Sequence, residues 1–95
     1  MEGHASISPE VLGRYAADAA RDVDGVHGVL RHGVKLEGEE GRVDVELRLA
    51  LEWGASVPQV GREVQQRVRE YLKRMANVEA ATVDVVVDEL GPVRR

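Results

Sequence analysis

Val43-Asp44-Val45-Glu46-Leu47-Arg48-Leu49-Ala50-Leu51-Glu52-Trp53 places an apolar residue at every odd position and a charged or small one at every even position. Side chains on a strand alternate between faces with period two. The stretch therefore predicts a half-buried strand over about 42–53, one face dry and the other wet. Gly54 ends it, and the period changes at once. Val57, Val60, Val64, Val68, Tyr71, Leu72 and Met75 recur every three or four residues. That spacing predicts an amphipathic helix over about 57–76. Ser56 and Gln59 read as its capping box, Pro58 sits in its first turn, and Asn77 reads as its C-terminal cap.

The same logic extends to both ends. Ser8-Pro9 reads as a helix start, because serine caps well and proline tolerates a first-turn position. Ile7 then staples onto Leu12. This first helix is expected to bury Leu12, Tyr15, Ala16, Ala19 and Val23 and to stop at Asp24-Gly25, where glycine takes a left-handed conformation. A strand over roughly 28–37 follows, irregular near Gly28 and Gly33, where a bulge costs little. Gly38 to Gly41 reads as a hairpin loop. A last strand spans Thr82–Asp88. The order is α-β-β-α-β, an α+β two-layer sandwich with a three-stranded mixed sheet and two helices on one face. Residues 1–7 read as a flexible lead-in, 8–90 as one domain, and 91–95 as a frayed tail. The last strand pairs with either the first or the second, and the pattern leaves both open.

Composition bounds the chemistry. Ninety-five residues make one domain with three aromatic side chains, Tyr15, Trp53 and Tyr71. A chain of this size buries only roughly 60–65% of its unfolded surface, so a partner subunit adds real stability. The absence of cysteine excludes disulfides, thiolate metal sites and a thiol nucleophile. No stretch reaches the ~18 apolar residues of a membrane span. The first residues lack the basic and apolar regions of a signal peptide, so cytoplasmic residence is expected. A net charge of −4 argues against a dedicated nucleic-acid binder.

No catalytic, cofactor or metal site is expected. His27 and His32 flank the first strand, but no close carboxylate spacing makes them ligands. Glycines 25, 28 and 33 lack the strand-then-helix context of a phosphate loop. Serines 6, 8 and 56 read as caps or lead-in residues. The wet sheet face is the candidate surface. By strand parity it carries Lys35, Glu37, Asp44, Glu46, Arg48, Glu52, Asp84 and Asp88, six acids against two bases. The second helix has the opposite bias, with Arg62, Arg67, Arg69, Lys73 and Arg74 against Glu63 and Glu70. Glu63–Arg67 and Glu70–Arg74 have the favourable i,i+4 order, so part of this charge supports the helix itself. A molecule so polarised can stack face to back in an open series. The interaction residues expected on this reading are Arg62, Arg67, Arg69, Lys73, Arg74, Asp44, Glu46, Glu52, Asp84 and Asp88. The alternative is an RNA-binding accessory role for the basic helix face, although the sheet offers acids where stacking aromatics would be needed.

Several stretches taken in order resemble a known family. Ile7-Ser8-Pro9-Glu10-Val11 opens the first helix, and Val23-Asp24-Gly25-Val26-His27-Gly28-Val29 follows it. Gly33-Val34-Lys35-Leu36 leads to the long strand ending Leu51-Glu52-Trp53-Gly54. Ser56-Val57-Pro58-Gln59-Val60 and Val64-Gln65-Gln66-Arg67-Val68 form the second helix, and Val83-Asp84-Val85-Val86-Val87 closes the domain. Over about residues 6–90 the chain resembles the bacterial alkaline-shock proteins of the envelope stress response. The resemblance implies a non-enzymatic, cytoplasmic protein that self-associates or docks on a membrane-anchored partner. It implies no small-molecule substrate, no cofactor and no direct membrane insertion, and it carries over no catalytic residue.

Overall fold

The computed structural model describes residues 7–39 and 41–92. The expected lead-in before Ile7, His4, and the tail from residue 93 onward lie outside the described residues. Ser8 caps helix α1 (Pro9–Arg21), its hydroxyl accepting the Val11 N–H at 3.2 Å. Strand β1 (Val26–Glu39) and strand β2 (Arg42–Glu52) form an antiparallel hairpin. Helix α2 (Val57–Ala76) crosses over to strand β3 (Glu79–Gly91), which runs parallel to β2. The sheet order is β1-β2-β3, which settles the pairing that the sequence left open. Both outer strands are longer than the alternation alone predicts.

The caps explain the helix limits. Ser56 Oγ accepts the Gln59 N–H at 3.3 Å, and Asn77 takes a left-handed φ of 54° with its N–H on the Lys73 carbonyl. Such a residue commonly ends a helix by satisfying its last carbonyls. Helix α1 stops earlier than expected, at Arg21 with Asp22 as cap. Gly25 is instead the turn residue before β1, at φ +95°. A Cβ there would lie 2.8 Å from Val60 of α2, so the close approach as well as the dihedral requires glycine.

The core lies between the helices and one sheet face. Val43, Val45, Leu47, Leu49 and Leu51 of β2 are buried against Val60, Val64, Val68 and Leu72 of α2 and against Leu12, Ala16, Ala19 and Ala20 of α1. Alanines let α1 sit close, and Tyr15 meets Tyr71 edge-on at 5.6 Å where the helices touch. Ile7 packs against this core, as the staple reading expects.

Three apolar residues depart from the expected burial. Trp53 lies beyond the end of β2 in a turn and is 68% exposed, so it leaves the dry face that parity assigned it. Val57 and Met75, the two ends of the predicted helix stripe, are each 46% exposed. The sheet and α1 do not extend far enough to cover them.

The hairpin is irregular where glycine allows it. Val29 pairs with Leu49 and Val34 with Leu47, so four β1 residues bulge opposite the single residue Arg48. His32 in that bulge adopts φ 58°. Gly33 is pressed against backbone: a Cβ would lie 2.7 Å from the Leu30 carbonyl oxygen and 2.8 Å from that of Arg48. A second bulge falls at His27, whose ring rests against Gly91 of the far strand, and Ala50 on the strand between is buried. We expect Gly33→Ala to destabilise the domain by about 1–3 kcal/mol, as overpacking does. Gly28→Ala, whose Cβ meets nothing within 4 Å, should change stability by less than about 0.5 kcal/mol. Urea unfolding of both variants checks the contrast.

Candidate interaction surface

The register brings the predicted wet-face residues onto one surface. Lys35 stands opposite Glu46 and Glu37 opposite Asp44 across the hairpin, and Glu46 neighbours Asp84 across the parallel pair. Asp88 is the extra residue of a bulge between Val87 and Glu89. Its carboxylate nonetheless reaches Arg48, which donates from Nη1 at 2.8 Å, while Arg48 Nε lies 3.4 Å from Glu46. The hydrogen bond and charge of Asp88, with the charge of Glu46, hold the Arg48 guanidinium above the ordinary arginine range. Thr82 donates its hydroxyl to Asp44 at 2.9 Å. Glu52 is half-buried at the end of β2. The basic Arg48 is thus enclosed by acids, and the remaining carboxylates give the face its sign.

On the other layer, the basic residues of α2 divide into two groups. Arg62 and Lys73 are exposed. Arg67 lies 3.6 Å from Asp22 at the end of α1, and Arg74 is held over the Tyr71 ring, 5.5 Å from its centroid. Arg69 donates from Nε to the Ala80 carbonyl at 3.4 Å, and Gln65 donates to the Val83 carbonyl at 2.9 Å. These two side chains tie α2 to β3. Period alone could not separate the basic residues that hold the helix from those that face solvent, because that depends on where β3 lies.

Among the described residues no polar or charged side chain is fully buried, and no three His, Asp or Glu side chains gather into a metal cluster. What this arrangement can do is attract and orient a charged surface. No helix among the described residues is long and apolar enough to cross a membrane.

The fold and surface define a small two-layer α+β domain with an open sheet face rich in carboxylates. The chain belongs to the alkaline shock protein family, whose model matches residues 29–91 and is described as having a cell envelope-related function. It is 31% identical over 100 residues to the uncharacterized protein Spy1535 of Streptococcus pyogenes, covering 90% of this chain and 78% of that one. It is 26% identical over 99 residues to the uncharacterized protein YqhY of Bacillus subtilis, covering 87% and 73% respectively. Among solved structures, the manganese form of a single-residue variant of the MamM CTD superposes with a TM-score of 0.61 at 17% identity, covering 86% of this chain and 99% of that one. A single-residue variant of the same CTD gives 0.63 at 15%, covering 88% and 100%. At such identities the likeness is one of fold alone.

The division within α2 predicts a stability ranking. Arg69→Ala should cost about 1 kcal/mol by removing the bond to Ala80. Arg67→Ala, losing one exposed ion pair, should cost between about 0 and 1 kcal/mol, and Arg62→Ala should fall within about 0.5 kcal/mol of wild type. Parallel chemical denaturation of the three variants checks the order.

Proposed function

We propose that this chain is a non-enzymatic interaction module of the envelope stress response, working in the cytoplasm near the membrane. It self-associates, or docks on a membrane-anchored partner, through its two charged layers. The observation that carries this reading is the opposition of an acidic outer sheet face to a basic α2 on the other layer. Glu46, Asp84 and Asp88 lie on the former, Arg62, Arg67 and Lys73 on the latter. A face-to-back contact between such surfaces is heterologous, so it propagates instead of closing into a dimer. Family membership, with its envelope-related description, supports the setting.

A role in RNA binding would rest on α2 alone. Arg69 is engaged by the Ala80 carbonyl, and Glu63 and Glu70 interrupt the basic surface. A protein partner fits the charge pattern better.

The test is a charge swap. Arg62→Glu with Arg67→Glu should abolish salt-sensitive association in sedimentation velocity. Asp44→Lys with Asp84→Lys should do the same. Mixing the two double variants should restore a contact between the reversed helix and the reversed sheet. Association unchanged in both double variants would overturn the electrostatic contact.

A further inference from the structure

Strand β3 is an edge of the sheet, since the order is β1-β2-β3. An edge strand leaves half of its N–H and C=O groups without a ladder partner, and an edge that nothing blunts accepts another strand. Helix α2 blunts part of this one. Arg69 covers the Ala80 carbonyl, and Gln65, one turn earlier, covers that of Val83. The next residue of that i,i+4 row is Gly61, which has no side chain to offer, and a Cβ there would meet nothing within 4 Å. Glycine inside a helix costs stability, so this position gives up helix propensity and leaves the edge beside it open.

The register of β3 with β2 is regular from Val83 to Val87. Backbone groups alternate in direction along a strand, so Val85 and Val87 turn theirs to the same free side as Val83. No side chain among the described residues is bonded to either carbonyl. Burial follows the same division. Ala80 and Val83 are buried, Val85 and Val87 are half-buried, and Leu90 is 51% exposed. The strand thus has a covered half, where α2 reaches it, and a bare half, where α2 does not.

We propose that β3 pairs antiparallel with β3 of a second copy of this chain, about a two-fold axis at Val85, so that two three-stranded sheets become one. Val83 then stands opposite Val87 of the second copy, and the covered half of each strand lies beside the bare half of the other. Gln65 does not block the pairing, because the Val83 carbonyl has a second lone pair to accept with. Charge selects the register. With the axis at Val85, each Asp84 faces Val86 of the other copy. An axis at Val86 would set Asp84 against Asp88, and an axis at Asp84 would set that residue against itself. Like charges directly opposite each other destabilise a sheet. The proposal rests on the self-association reading above and adds a contact of another kind. It is isologous and closes as a pair, whereas the charged stack propagates. Its backbone bonds persist at salt that screens exposed charges. The paired stretch is short, so the interface is at the small end of specific ones and the dimer forms only as concentration rises.

The chain has no cysteine, so introduced thiols report the register directly. Asp84→Cys and Val86→Cys are made as separate variants of the full-length chain. Directly opposite residues of a non-hydrogen-bonded pair lie about 4.5 Å apart at Cα, within disulfide range, and diagonal neighbours lie about 7–8 Å apart, beyond it. On oxidation at high salt the mixture should therefore yield a cross-linked dimer, and neither variant alone should. Gly61→Gln continues the row of covering side chains over the Val85 carbonyl. It should melt above wild type and yet dimerise at least about tenfold more weakly in sedimentation velocity, the scale of one backbone bond lost on each copy. Three results would overturn the edge pairing while leaving the charged stack in place: a cross-link within either cysteine variant alone, no cross-link in the mixture although wild type associates, or Gly61→Gln associating as wild type does. A wild-type chain that is monomeric throughout, at low and high salt, would overturn the self-association reading and this pairing together.

Discussion

Strand β2 is the element on which the rest depends. It is paired along its length on both sides, antiparallel to β1 and parallel to β3. One of its faces contributes five side chains to the core. In a chain this short a single strand must do both jobs, because little other surface can be buried. A strand that is central in the sheet and half-dry must alternate, and a one-residue slip would send its charges into the core. The long alternating run is therefore the constraint that fixes the register of everything paired with it.

That constraint also produces the charged surface. Once the odd residues of β2 are committed to the helices, the even ones fall on the other face, where all but Ala50 reach water, and the residues paired with them fall there too. Asp44, Glu46 and Arg48 are collected this way with Lys35, Glu37 and Asp84. Exposed pairs such as Arg48 with Asp88 contribute little to folding by themselves. Their consequence is a field of one sign on one layer and the opposite bias on α2, a property suited to orienting a partner.

Much of the fold was legible because its signals are local. Alternation gave the strands, the 3.6-residue stripe gave α2, and Ser8, Ser56 and Asn77 marked helix ends through hydrogen bonds to residues nearby in the chain. The wet face was legible too, since strand parity sorts residues before any partner is known. Trp53, Val57 and Met75 were misplaced because periodicity states which way a side chain points and not how far the covering layer extends. The stop of α1 at Arg21 was missed for a related reason. Gly25 must be glycine to clear Val60 of α2, and that pressure is invisible along α1 itself.

The sequence by itself determined the element order, both helix N-caps, the C-cap of α2 and the inward and outward faces of β2, because period and capping act over a few residues. Only the tertiary structure decided that β3 runs beside β2 and that Arg69 reaches the Ala80 carbonyl while Arg62 stays in solvent. It alone left Trp53, Val57 and Met75 beyond the reach of the covering layer. Those outcomes depend on contacts between residues far apart in the chain, where the limits of one element are set by the reach of another.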